Sequence, residues 1–511
     1  MREFFKHFFQ HQGRISLLLI IFFICSVAWR CPGFYTGPYP ASVPYTQVMQ
    51  TANIWAEYGP AEFHFGAVQS YPHTQDAFVH HYDRFLDHKG RNYYISYPPL
   101  VFWVGYGIRL LTGPDHLHAG LLIFNLMLHL LSMWGLYVFF RDTHSRIAFF
   151  IACLWLVLPV TLDIFYRVFF SEAITTALFA WLPFLIKKVS HPKLSQKSLW
   201  IWATYSFALA YNDWLGATIA SSVGLALLIR FPQHFKTIIS GWLAVVLAIS
   251  LFVWQYSSLA STHELMDALL FRYNLREHFQ AITVPWQEAI FSTLWYAFGW
   301  GLSLILLLIL FLIPVLQKPQ NRIPVVLWTF AIGLPLLLNL YFFFTFSVHH
   351  AYNFARWVPW LGIALGWIAM QFPRMQKTLP ILIGILALLN LPIHFTRLEA
   401  MVWEDRMISI FPDFEQKAQT DLPIYVQLHG FKGDVPGAFG FKMRRSIDEV
   451  FRPEEVPVKA YLDGKKSWQF LDVAAGKPVV QVTYLQFQDG WLHQPARCLG
   501  AKAGKVVSNA F

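Results

Sequence analysis

The chain has 511 residues, of which 56% are hydrophobic and 13% are charged, whereas soluble domains carry about 25% charged residues. The mean hydropathy is +0.42 and 18% of the residues are aromatic, as expected of lipid-facing helices with aromatic side chains at the membrane interfaces. This composition excludes an ordinary soluble enzyme and predicts a polytopic helical membrane protein. The net charge of +10 comes from basic residues at the ends of apolar runs, which indicates membrane topology and not nucleic-acid binding.

The predicted membrane spans begin with the apolar run at 16–29, which follows a basic N-terminal segment. Because further apolar segments follow, we interpret this run as an uncleaved first span and not as a signal peptide. Spans of about 17 to 25 residues cross a bilayer. The short runs at 199–212 and 215–230 can instead form one broken hairpin with Asn212 and Asp213 at its tip. The further spans, which bring the total to about 11, are predicted at 117–140, 147–166, 170–186, 199–212, 215–230, 237–256, 293–316, 324–345, 355–372 and 379–395.

Basic residues set the predicted orientation. They cluster on one side of the predicted spans, and the positive-inside rule identifies that side as the cytoplasm. The N-terminus is then cytoplasmic, and an odd number of spans places the C-terminal part outside. Compact loops and the lack of an organellar retention signal favour a multi-pass protein of the bacterial inner membrane with a periplasmic C-terminal domain. The clusters lie at 2–14, 141–146, 187–197, 230–236, 318–322 and 374–377.

Two long segments, 32–116 and 257–292, are predicted to lie on the outer side between spans. Loops of such length usually carry function. Three stretches in them mix apolar and polar residues and predict helices that lie in the interface plane. These stretches are 48–59, 98–113 and 263–279.

The composition changes near residue 393 to charged sequence containing Gly and Pro. We therefore predict a transmembrane domain at 1–395 and a small soluble α+β domain at 396–511, with strands near 424–428 and 478–487. Neither a catalytic motif in this tail nor an internal repeat of the kind found in secondary transporters is evident.

Acidic residues at the outer ends of spans require an explanation, because a charge at membrane depth costs a few kcal/mol. Asp163, Glu172 and Asp213 hold such positions. Glu172 has a structural alternative, as a charge at a helix N-terminus or a partner of Arg167. Asp213 has one too, as a turn cap.

Histidines in the first outer loop favour two interpretations. A divalent metal held by His80 and His81 together with a carboxylate is one. Solvated loop histidines are the commoner explanation, so no cofactor is predicted with certainty.

A cluster of polar residues lies at 348–356, between two apolar spans. His, Tyr and Arg side chains in this stretch offer several hydrogen-bond donors to one surface, and basic residues of the second outer loop add charge. Together they predict a phosphate site. Its members are Arg272, Arg276, His349, His350, Tyr352 and Arg356.

Four features follow one another along the chain: a helix ending in Glu57-Tyr58-Gly59, the aromatic-Pro-Pro-Leu-aromatic element at 93–103, the acid Glu172 at the outer start of a span, and His350-x-Tyr352-Asn353 before a proline. In this order they resemble the GT-C superfamily of membrane glycosyltransferases, in particular protein O-mannosyltransferases and lipid A aminoarabinose transferases. The resemblance covers roughly 15–395. The Pro-Pro-Leu element is the most specific of the four.

The sequence departs from the family at two places. The acid or Asp-Glu pair usual after the first span is replaced by 41–45, Ala-Ser-Val-Pro-Tyr. The Glu-Lys before Pro-Pro-Leu in the aminoarabinose transferases is Ser96-Tyr97 here, so the lysine expected near the donor phosphate is absent.

The resemblance implies an inverting transfer of a sugar from a polyprenyl-phosphate donor in the outer leaflet to a glycan, lipid or protein acceptor. It implies a carboxylate base, which we assign to Asp83 or Glu172, and phosphate stabilisation by the polar group defined above. Five further residues are predicted to line the cavity or contact the acceptor: Glu57, Tyr94, Tyr97, Asp163 and Asp213.

A second class of function stays open at this point. A non-catalytic or transport protein that binds lipid-linked sugars would account for the missing first-loop acid. A transporter should carry polar groups on both sides of the bilayer midplane, however, whereas the candidate groups here collect at one face.

Overall fold

The computed structural model describes most of the chain and is mainly helical. All structural statements below refer to these residues. They are 11–30, 43–72, 85–167, 169–190, 196–277, 285–303, 305, 327, 329–344, 347, 350–407, 416, 422–429, 447–449, 467–474 and 480–486.

Helices occupy most of the apolar runs that the sequence singles out as spans. Most begin and end within a few residues of the predicted bounds. They are α1 (His11–Arg30), α4 (Leu117–Val157), α5 (Ser171–Val189), α6 (Gln196–Ala210), α7 (Trp214–Arg230), α8 (Phe235–Ser257), α10 (Trp286–Phe298), α11 (Leu334–Phe342), α12 (Val358–Gln371) and α13 (Pro373–Met407).

Three helical segments are long and apolar enough to cross a membrane: Leu117–Val157, Pro232–Ser257 and Arg374–Phe395. Shorter apolar helices include Ile15–Ala28 and Trp214–Arg230. Large apolar side chains such as Leu243 and Leu247 on α8 are about two-thirds exposed, which suits contact with lipid. The described helices support a membrane protein, and the count of about 11 spans stays a prediction.

The helix α4 contains two of the predicted spans. Its backbone leaves the helical region at His144 (φ −151°, ψ 90°), within the polar stretch Arg141–Arg146. The sequence places a connection between spans at this same stretch, so the break is as expected.

The predicted span 147–166 is interrupted. Helix α4 ends at Val157, and a helical turn at Val160–Leu162 and a π-helical turn at Asp163–Arg167 follow. Pro159 lies at the interruption, and proline both lacks the backbone N–H and disfavours helical geometry in the residue before it. The backbone then turns into α5.

The outer segments predicted to be helical are helices. They form α2 (Val43–Tyr58), α3 (Leu100–Thr112) and α9 (Thr262–Glu277). Helix α2 packs on α3, and Arg109 donates a hydrogen bond to Asn53 at 2.6 Å. Between α2 and α3 lies a small antiparallel sheet, β1 (Ala67–Val68), β2 (Phe85–Leu86) and β3 (Asn92–Tyr94), in the order β1-β3-β2.

A four-stranded sheet follows the last long helix. Its order is β5-β4-β6-β7, with β4 (Ile424–His429) parallel to β5 (Ile447–Glu449) and β6 (Ser467–Ala474), and β7 (Val480–Gln486) antiparallel to β6. The sequence predicts β4 and β7 but not β5 or β6. Helix α13 continues to Met407, past the proposed domain boundary at residue 395.

Candidate functional site

Three charged side chains meet inside the protein. Nη2 of Arg356 lies 3.2 Å from Oε1 of Glu172 and 2.9 Å from Oδ2 of Asp213. All three are almost completely inaccessible, with 3%, 0% and 1% exposure for Arg356, Glu172 and Asp213. Two carboxylates share one guanidinium, so this acid–arginine cluster carries one net negative charge when all three groups are ionised.

Glu172 is held in the first turn of α5. Its Oε2 accepts a hydrogen bond from the Ser171 hydroxyl at 3.1 Å. The neighbouring backbone is fixed by Asn212, whose side-chain amide donates to the Ser171 carbonyl and to the Thr175 hydroxyl, both at 2.7 Å. The tip between α6 and α7 is thus joined to the start of α5.

Asp213 has two roles in the fold. Its Oδ1 accepts the Leu215 backbone N–H at 3.0 Å and caps α7, while Oδ2 contacts Arg356. The structural alternative for Asp213, a cap, is therefore present, and the same side chain also contacts Arg356. Asp213 lies in the turn that joins α6 to α7, where the sequence places the tip, and the choice between one broken hairpin and two spans stays a prediction.

The segment Ser96-Tyr97 touches both arginines of the region. Arg272 Nη1 donates to the Ser96 hydroxyl at 2.9 Å, and Arg356 donates a hydrogen bond to the Tyr97 hydroxyl. The Ser96 carbonyl accepts the indole N–H of Trp214 at 2.8 Å. The two residues that replace the family's Glu-Lys thus lie at the centre of the site.

Tyr94 completes the wall beside this segment. Its ring stacks on Tyr97 with centroids 6.4 Å apart, and the Arg272 guanidinium lies 5.8 Å from the Tyr94 centroid. Tyr256 on α8 donates to the Tyr94 carbonyl at 2.8 Å. An aromatic surface therefore supports the Arg272 charge, as in cation–π contacts.

The remaining predicted site residues fall into two groups. His350 and Tyr352 lie in and beside the 3-10 helix Ala351–Trp357 that carries Arg356, with their rings in edge contact at 5.4 Å. Glu57 is exposed near the end of α2. Asp83, His80, His81 and His349 lie outside the described residues, as do the side chains of Asp163 and Arg276.

The predicted metal site is not found among the residues that the structure describes. Among those residues, no group of three or more His, Cys, Asp or Glu side chains is placed to hold a metal ion. The hypothesis that His80 and His81 bind a divalent cation lies outside the described residues and stays a prediction.

Sequence reasoning placed Asn212 at the hairpin tip but assigned no role to it or to Trp214, which fix the tip to α5 and to Ser96. The sequence did contain a signal for these residues, because an Asn-Asp-Trp group between two apolar runs is unusual. Sequence reasoning treated Ser96 only as a departure from the family and predicted Tyr97 to line the cavity, but it did not predict that the two residues contact two arginines. Arg272, by contrast, was predicted from its charge.

The arrangement offers a buried acid pair, a shared cation and a second cation on an aromatic support. Burying a charged group costs free energy, and buried charged groups with specific partners are common at functional sites. Carboxylates can accept a proton, and a guanidinium can bind a phosphate through two N–H groups.

Comparisons with known proteins agree with this architecture. No family model matches the sequence, and no curated protein matches it. Among solved structures, ArnT from Cupriavidus metallidurans in the apo state has 10% identity and a TM-score of 0.57, over 89% of this chain and 93% of ArnT. The structure of ArnT bound to undecaprenyl phosphate has 12% identity and a TM-score of 0.50, again over 89% of this chain and 93% of ArnT.

A second enzyme has the same fold. AglB, an oligosaccharyltransferase from Archaeoglobus fulgidus, in complex with an inhibitory peptide and a dolichol-phosphate, matches at 11% identity and a TM-score of 0.51, over 89% of this chain and 69% of AglB. ArnT and AglB are both GT-C superfamily members. This chain shares the fold of these two proteins, so the fold that the resemblance implies is confirmed.

Proposed function

We propose that this protein is an integral membrane glycosyltransferase that moves a sugar from a polyprenyl-phosphate donor to an acceptor on the outer, periplasmic face, with inversion. The observation that carries the proposal is the buried acid–arginine cluster beside Ser96-Tyr97 and Arg272. The fold shared with ArnT and AglB supports it, because those proteins are solved with undecaprenyl phosphate and dolichol-phosphate.

The reaction joins the acceptor oxygen to the anomeric carbon while the bond from that carbon to the phosphate oxygen breaks. The acceptor hydroxyl proton passes to a carboxylate, and the polyprenyl phosphate leaves with the bonding electrons. We assign the role of proton-accepting base to Glu172, because Asp213 is also needed to cap α7. Asp83 stays a second candidate for the base.

The leaving phosphate needs a cation already in place. Arg272 fits this role better than Arg356, because Arg356 is buried between two carboxylates, whereas Arg272 is only half-buried. Its guanidinium lies at Ser96, beside the position where the family's aminoarabinose transferases carry a lysine. Arg276, His349, His350 and Tyr352 stay candidates for further phosphate contacts.

The test is the transfer of sugar in lipid nanodiscs from undecaprenyl-phosphate sugars to an added glycan or lipid acceptor, or to water in its absence. The wild-type protein should convert at least one of them to undecaprenyl phosphate. Loss of a general base lowers the rate about 10²–10⁴-fold, so Glu172→Gln should show this loss while remaining folded. Glu288→Gln, an exposed carboxylate on α10, is the matched control and should keep the wild-type rate. Full activity in Glu172→Gln would exclude it as the base.

The alternative is a transporter or a non-catalytic protein that binds lipid-linked sugars. A carrier would exchange such lipids across the bilayer without cleaving the bond to phosphate. Recovery of only intact donor on both leaflets of a proteoliposome would favour this alternative.

A further inference from the structure

The backbone of residues 94–96 is held by two hydrogen-bond donors from apolar helices. The Tyr256 hydroxyl on α8 donates to the Tyr94 carbonyl, and the Trp214 indole N–H on α7 donates to the Ser96 carbonyl, each at 2.8 Å. Both acceptors are backbone groups, so these bonds fix the path of the segment itself. We call Trp214 and Tyr256 the carbonyl clamp.

Tyr256 also holds the small outer sheet in place. Its hydroxyl accepts the backbone N–H of Ala67 at 3.1 Å, and Ala67 is the partner of Tyr94 in the antiparallel register of β1 and β3. The one hydroxyl therefore contacts both strands at the end of their ladder. Because β3 ends at Tyr94, the clamp acts at the point where the chain leaves the sheet toward Ser96.

The two members of the clamp belong to one aromatic unit. The Phe252 ring on α8 lies 5.0 Å from the Trp214 ring and 4.7 Å from the Tyr256 ring, measured between centroids. Phe252 and Tyr256 are completely inaccessible, each with 0% exposure. Because protein interiors are close-packed, buried rings in contact have few alternative positions. The two donor atoms are therefore kept at a fixed spacing.

The two residues that the clamp holds are also those that contact Arg272. The Ser96 hydroxyl accepts a hydrogen bond from Arg272 Nη1 at 2.9 Å, and the Tyr94 ring lies beneath the guanidinium, 5.8 Å from centroid to carbon. Among the described side chains of α9, Leu265 is buried and the others are exposed or half-buried. The place of the guanidinium therefore depends on residues 94–96 more than on α9 itself.

A cation that stabilises a leaving phosphate is most effective when it is already in place. Fixing a long arginine side chain costs conformational entropy, and binding is tighter when this cost has been met before the ligand arrives. An acceptor and a ring held by the clamp provide such a fixed support for Arg272. The clamp bonds thus act on the guanidinium indirectly.

We propose that Trp214 and Tyr256 are positioning residues that set the place of Arg272 for the phosphate of the lipid-linked donor. The proposal rests on the glycosyltransferase function above and deepens it. Each side chain acts through the backbone of 94–96 and needs no contact with the phosphate. The alternative is a merely structural role, in which the clamp only satisfies buried carbonyl groups.

The test measures the affinity of the full-length protein in nanodiscs for undecaprenyl phosphate. Tyr256→Phe keeps the buried ring and removes only the hydroxyl. Tyr341→Phe is the matched control, because this tyrosine on α11 is 64% exposed. Both variants are also combined with Arg272→Gln, which gives a double-mutant cycle for each tyrosine. Melting temperatures establish that every variant is folded.

We expect Tyr256→Phe to bind undecaprenyl phosphate about tenfold more weakly, because the loss of one hydrogen bond lets residues 94–96 and Arg272 move. In the Arg272→Gln background the same change should alter the affinity by less than about twofold, since the group that it positions is already gone. A merely structural hydroxyl would give the same loss in both backgrounds. Tyr341→Phe should leave the affinity unchanged in either background.

Trp214→Phe is an independent test, which also serves if Tyr256→Phe does not fold. It removes the other donor, keeps an aromatic ring against Phe252, and should weaken binding only when Arg272 is present. Equal losses with and without Arg272, no loss in either clamp variant, or wild-type affinity in Arg272→Gln would overturn the positioning role and leave the proposed function standing. If the wild type does not bind undecaprenyl phosphate, the proposed function itself fails, and this inference with it.

Discussion

Arg356 is the residue on which the charge balance of the site depends. It is the shared partner of Glu172 and Asp213, and all three side chains are buried. Removing one partner of a buried ion pair leaves an uncompensated charge, which costs about 3–5 kcal/mol. Glu172 was predictable from its position, and so was Arg356 from its charge. Their meeting was not, because only the packing of distant helices brings them together.

The Arg356→Met variant tests this balance. We expect it to lower the free energy of unfolding by about 3–5 kcal/mol, measured by thermal unfolding in nanodiscs. The triple variant Glu172→Gln, Asp213→Asn, Arg356→Met should recover most of the stability and none of the transfer activity. Wild-type stability in Arg356→Met would mean that the carboxylates are not both charged.

At the scale of elements, α2 and α3 pack so closely that only glycine fits between them. A Cβ on Gly105 would overlap the Val48 side chain, whereas one on Gly107 would meet no atom within 4 Å. Both glycines lie on α3, whose N-terminus follows the Pro-Pro element and Ser96-Tyr97. The close packing therefore positions the segment that touches both arginines.

Gly105→Ala should destabilise the protein by about 1–3 kcal/mol through overpacking, as seen by thermal unfolding. Gly107→Ala is the control on the same helix and should be neutral or slightly stabilising. Combining Gly105→Ala with Val48→Ala should relieve the clash. Equal behaviour of the two alanine variants would contradict this packing.

The outer loop also carries an ion network beside its small sheet. Lys89 and Arg91 each lie 2.9 Å from Glu62 Oε1, and Arg91 also pairs with Asp87. The hydrogen bonds from Lys89 and Arg91 lower the pKa of Glu62 below its usual 4.5. A carboxyl whose pKa is lowered on folding stabilises the fold above its unfolded pKa, and this stabilisation is lost as the pH falls through the folded pKa.

Acidification should therefore loosen this network below a pH of about 4.5, and the effect should be small because Glu62 is half exposed. The protection of the amides at 85–94, corrected for the pH dependence of intrinsic exchange and measured by hydrogen exchange between pH 7 and 3, should fall more steeply in the wild type than in Glu62→Gln. Identical pH dependence of the two proteins would show that Glu62 does not contribute.

The sequence predicted most helices from apolar length, and it predicted the break in α4 at Arg141–Arg146, but it missed two other breaks. Pro159 interrupts one predicted span, and Gly299 (φ +53°) ends another after Phe298. Whether such residues kink or end a helix depends on what packs around them. For the same reason β6, which pairs with two strands, could not be recognised from its own residues.

For the whole molecule, the three charged side chains of the acid–arginine cluster come from separate parts of the chain. Glu172, Asp213 and Arg356 meet at the start of α5, at the tip between α6 and α7, and before α12. The connection that the sequence assigns to the cytoplasm, Arg141–Arg146, lies at the kink of α4. The proposed transferase needs its charged groups together at one place, whereas a carrier would need polar groups along its whole path.

The most direct measurement is a structure of the protein in nanodiscs with a short-chain polyprenyl phosphate. We expect the phosphate within hydrogen-bond reach of the Arg272 guanidinium, beside Ser96-Tyr97, and the lipid chain leaving sideways toward one leaflet. A phosphate bound far from Arg272, or a lipid path that runs through the full thickness of the membrane, would contradict the transferase assignment and favour transport.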